Sequence, residues 1–344
     1  MEDNFAEMKI LVVLPNYAGD ILQSTVALRF LKRNFPVARL AVMVREDKKQ
    51  LLEDNPYIDE VIFKRNRLAD IRQAIRFKPR AVILFRTTFF NALLAKLSRA
   101  KWRIGFRQEL SEIFLTTAIR ENTVASYRYE LVRLVQVFLK NLGIQSPVAD
   151  DDWRIMDFPG WKQPGIKEKV VEKLKPYAIF PGKKLLVLSP FASRKTKRLL
   201  PEQYRGLVKW MQSEFAEQYE LLIVGGQDEY LISEQMFRNC WGKNLVGRFD
   251  WKELGCLLSQ ASLFISPDTG PAYLAQAVGC PTVIFFTSTL PERYGPYPEK
   301  VKIVYQPQLC SPCYRDYCRK NYLCLKNFPL NELQEKIRDS LNEH

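Results

Sequence analysis

Short apolar runs alternate with amphipathic patterns along the first half of the chain. The runs lie at 9–15, 39–44, 60–64 and 81–86. Runs of this length are typical of strands, and the segments at 20–34 and 124–141 have the apolar spacing of helices. Because apolar strands separated by helices are typical of parallel sheets covered on both faces, the first half predicts such a sheet.

The second half repeats this alternation. Its predicted strands are 184–190, 220–226, 263–268 and 282–286, and its predicted helices are 166–176, 201–216, 228–239, 250–260, 271–279 and 330–341. The stretch 145–183 breaks the rhythm with Pro, Gly and acidic residues, as linkers do. The sequence therefore predicts an α/β protein with two doubly wound, Rossmann-like parallel sheets, one per domain, facing across a cleft.

We place the domain boundaries from the same pattern. An N-terminal domain covers 1–165, a C-terminal domain covers 166–328, and the last segment, 329–344, holds a helix for which we consider packing back on the N-terminal domain. Clefts between two such domains are the default place for a ligand.

Composition is that of an ordinary globular protein, with 47% hydrophobic and 26% charged residues in 344. No run of 18 apolar residues predicts a membrane span, and the acidic first ten residues do not resemble a signal peptide. The net charge of +14 favours an anionic partner. Because the basic residues are spread along the chain, we expect no nucleic acid partner.

The sequence has a single histidine, His344, at its last position. Chain ends are usually mobile, so a Ser-His-Asp triad, a Cys-His pair and a His-ligated metal are excluded as catalytic devices. A general base in this protein must be Asp, Glu, Lys, Tyr or Cys.

One carboxylate occupies a position suited to that role. The sequence "PNYAGDIL" (15–22) follows the first strand, where parallel sheets open their ligand crevice. Asp20 can take the proton of an acceptor hydroxyl as a general base. The alternative is that Asp20 only caps the helix that follows.

A second motif, "SPDTGPAYLAQAVGCP" (266–281), follows a strand and opens a helix. Thr269 and Gly270 present backbone N–H groups at a helix N-terminus, which is an anion site, and Pro271 fits the first turn. The alternative is an ordinary capped turn. An aspartic protease is disfavoured, because its chemistry needs two carboxylates and the chain has one Asp-Thr-Gly.

Two further loops end strands of the same predicted sheet. The loop 189–204 offers hydroxyls and cations for a diphosphate, at Ser193, Arg194, Lys195, Lys197 and Arg198, but it lacks the glycines of a P-loop. The turn "IVGGQDEY" (223–230) offers Gln227 and Asp228 to ribose hydroxyls. Each is also explained as a solvated loop. Together the three loops predict a nucleotide site in the second domain.

Two groups of residues are candidates for a metal. "DDD" (150–152) contains an Asp-x-Asp pair, and Cys310, Cys313, Cys318 and Cys324 form C-x2-C-x4-C-x5-C. The last two cysteine gaps are not standard, so we predict no metal and keep the four thiols as the alternative. Cys240, Cys256 and Cys280 are expected to be small core residues.

The chain resembles the ADP-heptose:lipopolysaccharide heptosyltransferases over about 8–325. The resemblance rests on the "PNYAGDIL" segment, on "NPYIDEVI", "WRIGFR" and "KRLLP", on the long block from Asn244 to Phe286, and on "CSPCYRDYC". It implies a GT-B fold and an inverting, metal-independent glycosyltransferase. It also implies ADP-L-glycero-D-manno-heptose as donor, ADP as product, no further cofactor, and the lipopolysaccharide inner core (lipid A–Kdo–heptose) as acceptor.

The resemblance also implies roles for individual residues. Asp20 matches the proposed base and Lys197 the lysine on the donor diphosphate. The family usually has histidine where this chain has Tyr273, whose hydroxyl can still donate one hydrogen bond. Adding the residues predicted above, the expected nucleotide-sugar contacts are Gly19, Ser193, Lys197, Gln227, Asp228, Asp268, Thr269, Gly270, Pro271 and Tyr273.

The acceptor is expected on the first domain, which carries Asp20. A phosphate- and carboxylate-bearing acceptor needs cations, and arginine holds both groups with paired hydrogen bonds. The expected acceptor residues are Lys64, Arg65, Arg67, Arg86, Arg103 and Arg107. Singly, each is also explained as a solvated surface charge.

These expectations describe a cytoplasmic monomer working at the inner face of the inner membrane, where basic surface meets anionic lipid. Two alternatives remain. One is a related GT-B transferase with another nucleotide sugar or acceptor; the other is a nucleotide-sugar-binding protein without transfer activity.

Overall fold

The computed structural model describes residues 8–149, 151–179, 182–295 and 297–343. The chain divides into two compact units, Met1–Gly160 with Glu292–Pro296, and Trp161–Pro291 with Tyr297–His344. The first ten residues, the Asp-x-Asp pair and His344 carried sequence predictions. Residues 1–7, Asp150, the side chains of Asp151 and Asp152, and His344 lie outside what is described.

The first unit is built on a six-stranded parallel sheet of order β3-β2-β1-β4-β5-β6. Its strands are β1 (Lys9–Val13), β2 (Arg39–Arg45), β3 (Glu60–Lys64), β4 (Ala81–Leu84), β5 (Trp102–Phe106) and β6 (Thr117–Ile119). Its helices are α1 (Ala18–Asn34), α2 (Arg67–Phe77), α3 (Phe89–Leu97), α4 (Tyr127–Asn141) and α5 (Asp151–Arg154). β1 pairs on both edges, which its unbroken apolar sequence allows.

The helix that carries Asp20 is held firmly in this unit. Residues along α1 are buried from Ile21 to Leu31. Arg29, which is only 4% exposed, forms an ion pair with Asp157. The hydroxyl of Thr25 accepts a hydrogen bond from the Asp157 backbone N–H at 2.9 Å. These contacts tie the far end of the unit to α1 and fix the helix on the sheet.

The second unit holds another six-stranded parallel sheet, of order β12-β11-β10-β7-β8-β9. Its strands are β7 (Lys184–Leu188), β8 (Tyr219–Ile223), β9 (Lys243–Asn244), β10 (Leu263–Pro267), β11 (Thr282–Phe286) and β12 (Val301–Tyr305). Its helices are α6 (Ile166–Leu174), α7 (Pro201–Phe215), α8 (Tyr230–Met236), α9 (Trp251–Leu258), α10 (Gly270–Ala277), α12 (Leu323–Lys326) and α13 (Leu330–Asn342). The short helix α11 (Pro291–Tyr294) belongs, from Glu292 on, to the first unit.

Helix α13 differs from its expected place. We considered packing on the N-terminal domain, but the apolar face of α13 lies in the core of the second unit. Leu333, Ile337 and Leu341 are buried with Val283 and Phe285 of β11. The spacing of these three residues makes one apolar stripe, and the second sheet covers it.

The membrane prediction can be compared with the helices. None of the helices in the described ranges is both long enough and apolar enough to cross a membrane.

Candidate active site

Both sheets have the same switch in strand order. The order reverses between β1 and β4 in the first unit and between β7 and β10 in the second. In doubly wound sheets, ligands bind at the carboxyl ends of the strands at such a point. Asp20 follows β1, Lys197 follows β7 and Asp268 follows β10, so each lies in the segment that leaves a strand at a switch point.

Lys197 and Asp268 form a largely buried ion pair at the second switch point. The Lys197 Nζ lies 2.6 Å from Oδ2 of Asp268 and 3.0 Å from its backbone oxygen. The Asp268 side chain is only 2% exposed and that of Lys197 is 15% exposed. The hydroxyl of Thr289 donates to Oδ2 at 2.7 Å, and the hydroxyl of Tyr273 donates to Oδ1. The carboxylate is thus held by three donors.

This arrangement bears on two expected ligand contacts, which stay predictions. Asp268 and Tyr273 were predicted to touch the nucleotide sugar, but both side chains are buried and bonded to each other. In this arrangement they support the site from inside the unit. Lys197, which is partly exposed, is the member of the group that a ligand can reach.

The start of α10 lies beside this ion pair. Thr269 is its N-cap, with extended backbone angles (φ −146°, ψ 172°), and its hydroxyl lies 3.1 Å from that of Ser266. Gly270 and Pro271 form the first turn. Proline has no N–H and the Ala272 N–H donates to the Thr269 oxygen at 3.1 Å, so the N–H that this turn offers to a ligand is that of Gly270. A helix N-terminus next to a lysine is suited to an anion such as a diphosphate.

The loop that carries Lys197 is braced from its other side. Thr287 donates its hydroxyl to the backbone oxygen of Thr196 at 2.7 Å, and the hydroxyl of Thr196 donates to the Arg315 oxygen at 2.5 Å. Arg198 donates Nε–H to the Ala192 oxygen at 2.6 Å. The loop therefore holds a defined shape, with Ser193 exposed on it.

The glycine turn after β8 packs tightly against this loop. A Cβ on Gly225 would lie 2.8 Å from the Phe191 ring, closer than real side chains come, so only glycine fits there. Glu229 accepts the Gly226 N–H at 3.0 Å and pairs with Arg198 at 3.4 Å. Burial raises the pKa of Glu229 above its usual value despite both contacts.

The two predicted ribose ligands, Gln227 and Asp228, are exposed on the same turn. Their placement leaves them open to a ligand at the carboxyl edge of β8. The half-buried Glu229 beside them was not predicted. Its signal was its place in the same "GGQDE" stretch, with an acidic side chain able to fold back on the glycine N–H.

Asp20 is not the cap of α1. The helix begins at Ala18 and its N-cap is Tyr17, whose side chain makes no cap hydrogen bond. Asp20 lies in the first turn, half-buried, where the helix N-terminus favours a negative charge. The simplest structural alternative for this carboxylate, an N-cap, is therefore wrong.

Tyr127 lies near Asp20 and was missed by sequence reasoning. Burial raises the pKa of Tyr127 well above its usual range, and the charges of Asp20 and Glu121 raise it further. Arg293 opposes this from 5.1 Å over the Tyr127 ring and forms an ion pair with Glu121. Within the first unit, the surroundings of Asp20 thus include the Tyr127 ring and, over that ring, the buried Arg293.

A row of cations follows the carboxyl edge of the first sheet. Lys64 ends β3 and reaches back to the end of β1, with Nζ 2.6 Å from the Leu14 oxygen and 3.3 Å from Oδ1 of Asn16. Burial lowers the pKa of Lys64 to about 8; the nearby Arg86 and Arg45 lower it too, while Asp70 opposes them. Arg45 was not predicted, although it ends β2 at the same edge.

The other predicted acceptor residues divide into two groups. Arg65, Arg67, Arg86 and Arg107 are exposed, and Arg107 pairs with Glu112 at 3.1 Å. Arg103 lies near the start of β5, away from the carboxyl edge.

Arg103 has a structural explanation. Its guanidinium donates to the backbone oxygens of Phe114 at 2.7 Å and Ala100 at 2.6 Å. It therefore braces the loop that returns to β6.

The four clustered cysteines are free thiols. Burial, followed by the neighbouring thiols Cys310, Cys318 and Cys313, raises the pKa of Cys324 to about 11. Backbone N–H groups of Lys320 and Tyr322 donate to the Cys318 sulfur at 3.3 and 3.1 Å. In the described part of the chain, no three His, Cys, Asp or Glu side chains are arranged to hold a metal ion.

The two sheets and their switch-point loops are those of the GT-B class, two Rossmann-like units in one chain. A family model described as glycosyltransferase family 9 (heptosyltransferase) matches residues 69–323, and the chain belongs to that family. This confirms the resemblance seen in the sequence motifs.

Similar proteins agree with this assignment. Lipooligosaccharide heptosyltransferase 2 of Campylobacter jejuni is 24% identical over 98% of this chain and 100% of its own length. A family 9 glycosyl transferase structure from Veillonella parvula has a TM-score of 0.79 at 18% identity, covering 98% of each chain. The structure of E. coli ADP-heptose lps heptosyltransferase II has a TM-score of 0.76 at 17% identity, covering 98% of this chain and 99% of that one.

Proposed function

We propose that this glycosyltransferase moves a heptose from ADP-L-glycero-D-manno-heptose to the inner core of lipopolysaccharide. The observation that carries the proposal is the Lys197–Asp268 pair beside the N-terminus of α10, an anion site suited to a diphosphate. The names of similar proteins, which include ADP-heptose and lipooligosaccharide heptosyltransferases, support the choice of donor and acceptor.

The chemical step we propose is a single displacement with inversion. Asp20 takes the proton from an acceptor hydroxyl, whose oxygen forms a bond to the anomeric carbon of the heptose. The bond from that carbon to the ADP phosphate oxygen breaks on the opposite face. A base of this kind typically contributes about 10²–10⁴-fold to the rate.

Lys197 and the α10 N-terminus neutralise the charge that develops on the leaving diphosphate. Oriented donors that act where charge develops are among the largest contributions to catalysis. Because fixed protein groups supply this charge, we propose that the reaction requires no metal. Ser193, Gln227 and Asp228, all exposed at the same edge, hold the rest of the nucleotide.

The acceptor is proposed to bind a row of cations at the carboxyl edge of the first sheet. This cation row consists of Arg45, Lys64, Arg86 and Arg107. A surface of one sign attracts an anionic substrate, and arginine grips phosphate and carboxylate with two bonds. The net charge of +14 suits peripheral contact with an anionic inner membrane surface from the cytoplasmic side. We propose that the protein works there as a monomer.

Mass spectrometry of reaction products tests the function. The purified protein is incubated with ADP-heptose, or with other nucleotide sugars, and a panel of truncated lipopolysaccharides. Transfer from ADP-heptose to an inner-core acceptor supports the proposal. Transfer from another donor or to another acceptor would favour a related transferase.

The sequence motifs are most like those of heptosyltransferase II. The acceptor panel tests this, because it shows which heptose of the core is added. A donor-only assay addresses the remaining alternative. Binding of ADP-heptose without hydrolysis or transfer would favour a nucleotide-sugar-binding protein without activity.

A further inference from the structure

We propose that Tyr273 is a positioning residue for the donor diphosphate, which it serves by fixing Asp268 and, through it, Lys197. The inference rests on the proposed function, in which Lys197 binds the diphosphate. It gives this buried tyrosine a role that needs no contact with substrate.

The hydrogen bonds of Asp268 divide between its two oxygens. Lys197 and Thr289 both bond Oδ2, at 2.6 and 2.7 Å. In the part of the chain that the structure describes, the donor to Oδ1 is the hydroxyl of Tyr273. The tyrosine therefore fixes the carboxylate from the side opposite to the lysine.

A bond on Oδ1 matters because the carboxylate torsion of aspartate is broad and sets its plane poorly by itself. With Tyr273 and Thr289 on different oxygens, the plane of the Asp268 carboxylate is fixed. Lys197 Nζ donates to Oδ2 of this carboxylate and to the Asp268 backbone oxygen, so the position of the ammonium is fixed as well.

Tyr273 also connects the lysine to the anion-binding end of α10. It lies in that helix, three residues after Gly270, and is 2% exposed. Its hydroxyl thus fixes the lysine relative to the backbone N–H groups that open the helix. A neutral hydroxyl does this without adding charge, so Lys197 alone supplies the positive charge of this group.

The test compares ADP with AMP by calorimetry. Tyr273→Phe keeps the ring in the core and removes the hydroxyl that donates to Asp268. We expect the Kd for ADP to rise about tenfold, which corresponds to about 1.4 kcal/mol. The Kd for AMP should change less than twofold, because AMP lacks the second phosphate.

Two further variants serve as references. Thr289→Val removes the donor that shares Oδ2 with Lys197, and we expect a smaller loss of ADP affinity from it. Thr282→Val removes a buried hydroxyl at the other end of β11, where it donates to the Cys280 oxygen at 2.8 Å. The Thr282→Val control should change neither the Kd for ADP nor the Kd for AMP, even if its free energy of unfolding falls as much as that of Tyr273→Phe.

Three results would overturn the inference. ADP affinity unchanged in Tyr273→Phe would mean that the hydroxyl does not position Lys197. Equal losses for ADP and AMP would make Tyr273 a packing residue only. A wild-type protein that binds ADP no tighter than AMP would remove the diphosphate site, and the proposed function would fail first.

Discussion

Variants of the Lys197–Asp268 pair are expected to change the free energy of unfolding and the affinity for ADP in different ways. Lys197→Met removes the ammonium and leaves the Asp268 carboxylate, 2% exposed, with the hydroxyls of Tyr273 and Thr289 as donors. Breaking a buried pair from one side costs about 3–5 kcal/mol of unfolding free energy. Because two donors remain, we expect the lower end, about 3 kcal/mol.

The double variant Lys197→Met/Asp268→Asn removes the stranded charge together with its cause. We expect it to recover about 2 kcal/mol of that loss, since groups in contact couple by about 0.5–3 kcal/mol. ADP affinity should not recover, because the ammonium that binds the diphosphate is missing in both variants.

The assay is thermal unfolding of the second unit, followed by hydrogen exchange of its amides, alongside ADP calorimetry. For a unit of this size, about 3 kcal/mol lowers Tm by about 6–12 °C. A double variant as unstable as Lys197→Met would refute the account of a stranded carboxylate. Recovery of ADP binding in the double variant would refute the role of Lys197.

Three other results are expected. Asp20→Asn should lower kcat by about 10²–10⁴-fold and leave ADP affinity unchanged; wild-type turnover would remove Asp20 from catalysis. Since the pKa of Lys64 is about 8 against an ordinary 10.5, the unfolded chain binds more protons between those values, so stability should rise with pH there. Lys64→Met should flatten that rise in denaturation curves taken across pH 7–11, and an unchanged slope would count against it. EDTA should leave transfer unaffected, whereas a strict Mg²⁺ requirement would contradict the metal-free step.

The sheet core was predictable because its strands are apolar throughout. β1 and β10 are largely buried, and the apolar runs within them, Ile10–Val13 and Leu263–Ile265, are the direct signal of that environment. The strands missed, β5, β6, β9 and β12, lie at a sheet edge or next to one. β9 has two residues, and β5 contains Trp, Arg and Gly, so neither shows a strand period.

The location of the site was predictable from topology. Residues that follow β1 lie at the switch point of the first sheet, and residues that follow β7 and β10 lie at that of the second, whatever their chemistry. The sequence therefore offered Asp20, Lys197 and Asp268 as candidates, and their roles stay predictions. Their orientation was not predictable. No local pattern shows that Tyr273 turns its hydroxyl inward to Asp268, because the partner is set by packing in three dimensions.

The cation row shows the same division. Lys64 ends β3 and Arg86 follows β4, and both were predicted at the edge, but Arg103 was assigned there with them. It stands at the second position of β5, a strand that the sequence did not reveal, so its distance from the carboxyl edge could not be seen. Arg45 was missed because the predicted strand ended at residue 44, one position before it.

The most direct test of the account is mass spectrometry of an inner-core lipopolysaccharide acceptor after incubation with the purified protein and ADP-heptose. The account predicts an acceptor that gains one heptose residue, with ADP released, in the presence of EDTA. The same reaction with Asp20→Asn should yield little product over the same time. No mass gain from ADP-heptose on any inner-core acceptor, or a gain only from another nucleotide sugar, would contradict the central claim.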